Sequence, residues 1–265
     1  MHPYKVMDGP LPFRIHRHHA AFVSAISIAA FLALCRFLVN AMYHKDIHLE
    51  SVTSSYLSHD SVRWRERTPR LDAAQNKEVD RARMFIREIG ERVIVPLLRS
   101  IEAEEQGRRL VGFDQRFKDA NRLKHKVADQ LRWVPGSTPI QVLAAIPDAV
   151  RFTLQYQETE YVEGVWKDME RLRDRGLIPV DLYNAWANDQ YKGINARWRE
   201  PTSGLVFEVQ FHTEASFRAK ELTHKAYEWI RSDAVEETDR AILRAFQRQV
   251  NVKVQIPLGA VEIRE

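Results

Sequence analysis

Near the C-terminal end the chain alternates strictly between apolar and polar residues: Phe207-Glu208-Val209-Gln210-Phe211-His212-Thr213. A period of two predicts a strand, with Phe207, Val209 and Phe211 on one face and Glu208, Gln210 and His212 on the other. The first face suits a core. The second carries a carboxylate, an amide and an imidazole in a row, an odd choice for a merely solvated surface. Upstream the period is helical. Ala82, Phe85, Ile86, Ile89, Val93, Leu97, Leu98 and Ile101 recur at three and four, predicting helix over 71–109 with a break or kink at Pro96. Gly107 and Gly112 bracket a loop. A further helix is expected over 117–133, ended by Pro135-Gly136-Ser137.

Beyond that point strands and helices alternate. A strand is expected over 150–156, a helix over 162–175 and a strand over 177–185. A hairpin follows, 194–198 with 205–211 across the turn at 200–204, then helices over 215–231 and 236–250 and a short tail strand over 252–256. This order predicts an α+β fold: a mixed β-sheet flanked by helices, behind a helical N-terminal part.

The N-terminal residues read differently. Residues 20–35 carry no charge, Arg14 and Arg17 precede them, and Val39-Asn40-Ala41 offers a small residue for cleavage. A basic flank, an apolar stretch and a small residue make a secretory signal over 1–41. The alternative is a membrane anchor, although the run is shorter than the ~20 residues a spanning helix wants. A polar linker over 42–70 then leads into a domain at 71–265. The expected product is a secreted protein without stable membrane association after cleavage.

Composition narrows the chemistry. Of 265 residues 45% are apolar, and 40 basic side chains against 36 acidic ones leave a net charge of only +4. That argues against a protein that coats DNA, but leaves room for a local basic pocket. The single cysteine, Cys35, excludes an internal disulfide, and no Cys/His cluster has zinc spacing. Arg116, Lys118, Arg122 and Lys126 gather around the start of the helix expected at 117–133, where several cations and free N–H groups can hold a polyphosphate. Taken alone, such a run reads as a solvated basic face. Asp148, at a strand start beside Arg151, reads equally as an oxygen ligand for Mg²⁺ or as a turn residue. Tyr191 precedes Lys192 and Gly193 and offers a ring to a nucleobase or to a core. On the helix at 215–231, Lys220, His224 and Tyr227 line one stripe, with Glu228 beside them.

The order of these motifs resembles the synthetase domain of the RelA/SpoT family, which moves pyrophosphate from ATP to a nucleotide 3′-hydroxyl. Arg116, Lys118 and Lys126 match its R-x-K-x-x-x-S-x-x-x-K spacing, with Arg122 at the serine. Ala149-Val150-Arg151 matches its G-[IV]-R, with Asp148 shifted from the usual acidic position. Gln190 to Asn195 looks like G-Y-Q-S-L-H, with Tyr191 as the stacking ring and Asn195 for the histidine. Glu208 to Thr213 looks like E-[VIL]-Q-[IV]-R-T, with His212 for the arginine, and Ala219-Lys220…His224 looks like A-E…H-W. The resemblance spans about 108–230. It implies a nucleotidyltransferase-like fold and a stand-alone enzyme that uses Mg²⁺, ATP and a purine nucleotide acceptor. With a signal segment the chain looks like the secreted nucleotide 3′-pyrophosphokinases of actinomycetes.

On this reading Arg116, Lys118, Lys126, Arg122 and Arg151 contact ATP. Tyr191, Lys192, Asn195, Gln210, His212 and His224 serve the acceptor. Glu208 and Asp148 are the catalytic and metal-holding carboxylates. The alternatives are a toxin that modifies cellular adenine nucleotides or tRNA 3′ ends, and a catalytically inactive nucleotide-binding module.

Overall fold

A computed structural model describes residues 71–231 and 235–264, together with Leu32, Ala33 and Cys35. The expected signal segment and linker lie outside the described residues apart from those three. They are helical, and Leu32 and Cys35 belong to the buried apolar core. Among the described residues no helix is long and apolar enough to cross a membrane.

Helix α1 (Ala73–Ile89) starts at a capping box. The Asp72 side chain accepts from the Gln75 N–H, and the Gln75 side chain accepts in return from the Asp72 N–H. A π-turn at Gly90–Ile94 joins it to α2 (Val95–Glu104), with Pro96 in the first turn of α2. Proline fits there because the first helical N–H groups need no intrahelical partner. The expected break at Pro96 is therefore this π-turn just before it. Gly90 is needed for packing: a Cβ there would meet the Phe117 ring at 2.7 Å.

Strand β1 (Arg108–Val111) follows, where the sequence suggested only a loop, and then α3 (Ala120–Leu131) and α4 (Pro139–Ala144). Next come β2 (Arg151–Tyr156), α5 (Tyr161–Asp174), β3 (Ile178–Asn184), β4 (Ile194–Arg199) and β5 (Val206–Thr213). Helices α6 (Glu214–Ile230) and α7 (Glu237–Asn251) follow the sheet and pack on each other. The tail strand expected at 252–256 is absent. Val252 and Ile256 are exposed, only Val254 of its apolar residues is buried, and the segment pairs with no strand among the described residues.

The five strands form one mixed sheet in the order β1-β2-β5-β4-β3. Its central pair, β2 and β5, is parallel, and the other neighbours are antiparallel. Parallel neighbours require a crossover, supplied here by α5 with the β3–β4 ribbon. One face of the sheet is apolar. Phe152, Leu154, Phe207, Val209, Phe211, Ile194 and Trp198 are buried there with Tyr161, Val165 and Met169 of α5. The Tyr161 hydroxyl donates to the Phe211 carbonyl at 2.9 Å, fixing α5 to the centre of the sheet.

The opposite face is polar and buried as well. Thr153, Gln155, Glu208, Gln210 and His212 are all nearly inaccessible. Cross-strand register lines Asp181, Arg197, Glu208 and Arg151 across four strands, with Tyr183, Asn195, Gln210 and Thr153 in the next row. Helix α6 covers part of this face: Phe217 meets the His212 ring at 6.1 Å.

Candidate active site

The site forms where β2 begins. The segment Arg116–Lys118 pairs with the residues entering β2. Phe117 bridges Val150, the Lys118 N–H donates to the Ala149 carbonyl at 3.1 Å, and the Arg151 N–H donates to the Arg116 carbonyl at 2.8 Å. The Glu208 N–H donates to the Val150 carbonyl at 3.0 Å. Three distant stretches of sequence thus meet at Val150, bringing Lys118, Asp148, Arg151 and Glu208 to one end of the sheet.

Asp148 sits between two ammonium groups. Lys118 Nζ donates to Oδ2 at 2.7 Å, and Lys126 Nζ, from the second turn of α3, donates to Oδ1 at 2.6 Å. Burial alone would raise the Asp148 carboxyl, but Lys118 and Lys126 outweigh it and hold the group at about 2. Burial pulls the Lys118 ammonium below its ordinary range despite the attraction of Asp148. These are charge-assisted bonds between three partly buried groups.

Glu208 has the opposite environment. Burial raises its carboxyl, the nearby Asp148 charge adds to the rise, and Arg151, Arg197 and Lys220 oppose it. Gln210 Nε2 donates to Glu208 Oε1 at 2.9 Å, while Thr153 donates to Gln210 Oε1 at 3.3 Å. The carboxylate is thereby oriented and made more basic than a surface glutamate.

The acceptor-side residues form a hydrogen-bond chain. The Tyr191 hydroxyl donates to Asn195 Oδ1 at 2.8 Å and lies 2.9 Å from His212 Nε2. His212 Nδ1 lies 2.9 Å from Ser216 Oγ. Ser216 Oγ also donates to the Thr213 carbonyl at 3.2 Å and accepts from the Thr213 N–H at 3.0 Å, tying this chain to the start of α6. Burial, with Lys220 and Arg151 nearby, pushes the His212 imidazole well below its usual range, so it is neutral. Gly193 makes room for this ring. Its φ is +141°, and a Cβ would lie 2.6 Å from His212 Cε1. The Tyr191 hydroxyl is consequently part of the framework, and Tyr191 meets His212 edge-on at 5.5 Å.

Other expected site residues point elsewhere. The Arg116 guanidinium stacks on Phe113 at 4.1 Å and pairs with Glu91 at 2.5 Å, facing the π-turn. Arg122 pairs with Glu228 of α6, and His224 Nδ1 lies 3.5 Å from the same carboxylate. Lys192 Nζ donates to the Trp186 carbonyl at 2.8 Å. The start of α3 is not an open anion site either, because the Asp119 carboxylate accepts from the N–H groups of Asn121 and Arg122.

For Mg²⁺, which takes oxygen ligands, the two carboxylates differ, because Asp148 uses both oxygens and Glu208 accepts from Gln210 through Oε1 alone. Both Asp148 oxygens already accept an ammonium, and among the described residues no group of three or more His, Cys, Asp or Glu side chains converges.

Lys220 of α6 joins the cluster; the sequence placed it in a stripe with His224 and Tyr227 without assigning it a ligand. Its ammonium lies 4.9 Å from the Phe217 ring centroid, and burial together with Arg151 lowers it to about 8. The available signal was helical spacing: Lys220 follows Ser216 by four residues and precedes Thr223 by three, all three being buried on one face.

No family model matches the chain, and no curated protein does. Among solved structures the chain is similar to small alarmone synthetase 1 from Bacillus subtilis, with 16% identity and a TM-score of 0.42, over 68% of this chain and 93% of that one. It is also similar to small alarmone synthetase 2 from Bacillus subtilis, with 12% identity and a TM-score of 0.36, over 64% of this chain and 89% of that one. A GTP pyrophosphokinase family protein from Streptococcus pneumoniae is similar with 12% identity and a TM-score of 0.37, over 72% of this chain and 95% of that one.

Proposed function

We propose that the protein transfers pyrophosphate from ATP to the 3′-hydroxyl of a purine nucleotide and releases AMP. The observation that carries this reading is the meeting of two unlike carboxylates at the start of β2. Asp148 is held ionised by Lys118 and Lys126, and Glu208 beside it is buried, oriented and raised. Environments that push two carboxyls apart assign them different tasks. The motif order from Arg116 to His224 supports the same reading.

In this mechanism the ATP polyphosphate takes over Lys118 and Lys126 from Asp148. The acceptor lies along the polar sheet face near Tyr191 and Asn195. Glu208 removes the proton from the 3′-hydroxyl, and the oxygen forms a bond to the β-phosphorus. The bond from that phosphorus to the α–β bridging oxygen breaks, and AMP leaves with the electron pair. A raised carboxyl suits the step because a base works best when its pKa approaches the working pH. Arg151 offsets charge on the transferring group.

The test is incubation of the purified chain with γ-labelled ATP and a panel of adenine and guanine nucleotides together with tRNA, the products being identified by mass spectrometry. Label in a 3′-pyrophosphorylated nucleotide supports the proposal. Label only in inorganic phosphate, or only on tRNA 3′ ends, overturns it.

A further inference from the structure

We infer that Lys220 and Arg151 form a second anion subsite, apart from the Lys118–Asp148–Lys126 cluster, and that it takes a phosphate of the acceptor nucleotide. The inference rests on the transfer reaction proposed above and adds where the acceptor's own charge is read.

The first ground is charge balance. Lys220 is 9% exposed, and its ion-pair partner Glu221 lies 3.6 Å away on a half-solvated side chain. The Arg151 guanidinium makes no hydrogen bond among the described residues, although its own N–H is used by Arg116. Both cations act on Glu208, and both push His212 toward its neutral form. Charges that act on one another here are Lys220 and Glu221 of α6, Arg151 of β2, Glu208 of β5 and Arg197 of β4, with the His212 imidazole beside them. Lys220 is buried and Arg151 half-buried, and the 3.6 Å contact of Lys220 with Glu221 is the one ion pair that either makes among the described residues. Buried charge is tolerated when it is paired, and a phosphate dianion would pair both.

The second ground is position. Arg151 stands opposite Glu208 in the β2–β5 register, and Lys220 lies on the buried face of α6, 4.9 Å from the Phe217 ring that meets His212 at 6.1 Å. Lys220 is therefore placed with the His212 side chain, whereas Lys118 and Lys126 are held on Asp148. It projects from the helix that carries Ser216, which ends the Tyr191–His212 chain. An anion held there belongs to the acceptor.

Calorimetry on the full chain without turnover tests this. GDP and AMP are each compared with their nucleosides, guanosine and adenosine, for the wild type, Lys220→Gln and Lys220→Arg. In the wild type at pH 7 the nucleotides should bind at least tenfold more tightly than the nucleosides. Lys220→Gln should erase most of that advantage while leaving nucleoside and ATP affinities within twofold, and Lys220→Arg should keep it. Raising the pH from 7 to 9.5 should weaken wild-type nucleotide binding and leave Lys220→Gln nearly unchanged, because Lys220 loses its proton near pH 8. Unchanged nucleotide binding in Lys220→Gln, or no phosphate-dependent binding in the wild type, overturns the inference. A selective loss of ATP affinity also overturns it, because the anion would then be a donor phosphate. Lys220-dependent binding without transfer would retain the subsite and reject the proposed reaction; transfer without Lys220 dependence would do the reverse.

Discussion

Glu208 and Asp148 are both carboxylates in one cluster, yet their pH behaviour should be opposite. The Asp148 carboxyl is held at about 2, against an ordinary value of 3.8, by Lys118 and Lys126. A depressed carboxyl adds stability above its unfolded pKa, and that stability is lost as pH falls through the window from about 4 to about 2. Asp148→Asn should flatten this acid loss and cost roughly 1–3 kcal/mol at pH 7, because two partly buried ammonium groups lose their partner. Urea denaturation at pH 7 and pH 3 measures both effects. Glu208 is raised by burial, so its ionisation opposes folding, and stability declines as pH rises past the ordinary glutamate value. Glu208→Gln should therefore leave the melting temperature equal or higher while abolishing transfer. A mutant that melts lower and retains turnover would reject both assignments.

Tyr191 carries a second residue-scale prediction. From the sequence alone, Tyr191→Phe would be mild, since the ring does the stacking. The structure places the hydroxyl between Asn195 and His212, so phenylalanine removes a partner from the buried His212 ring and from the half-buried Asn195 amide. The substitution should destabilise by roughly 1–3 kcal/mol, read by urea denaturation, and an unchanged midpoint would contradict the chain of bonds.

At the scale of elements, what the sequence disclosed followed from periodicity. The alternation of Phe207 to Thr213 predicts β5, and its pairing with β4 follows from the short turn between them. That the polar face is buried was not legible, because the cover comes from Phe217 and Lys220 on the next helix. Strand β1 was missed because four residues, Arg108–Val111, are too few to show a period. The helix-mouth cations were seen as one cluster, yet Arg116 turns to Glu91, Arg122 to Glu228, and only Lys118 and Lys126 reach Asp148. Partners 22 to 106 residues apart would have had to be known to separate them, and spacing along one helix does not contain that information. The π-turn gives this scale its test. Gly90→Ala drives a Cβ into Phe117, whose bridge to Val150 aligns Lys118 with Asp148. Overpacking of this kind costs about 1–3 kcal/mol. ATP binding should weaken together with the melting temperature, although residue 90 touches no proposed substrate.

For the whole molecule, the N-terminal residues pose a structural condition. Cleavage near Ala41 would remove Leu32 and Cys35, which belong to the buried core. Export without loss of that segment is the version of the localisation proposal that keeps the core intact. Burial pushes the Cys35 thiol up to about 12. At pH 8 the native chain should react with a thiol reagent far more slowly than the denatured chain. Equal rates would mean that the segment is not docked, and mass spectrometry of exported protein would then be expected to find a chain starting near Met42 or Tyr43.

The central claim is that Glu208 is the base for transfer of an intact pyrophosphate to a 3′-hydroxyl. Quenched time courses should follow AMP and the 3′-pyrophosphorylated nucleotide together, for wild type and Glu208→Gln, with ATP and an equimolar mixture of adenine and guanine acceptors. The two products should rise in equal amounts in the wild type and be absent in the variant, which still binds ATP. ADP in place of AMP, or equal rates in the two proteins, would contradict it.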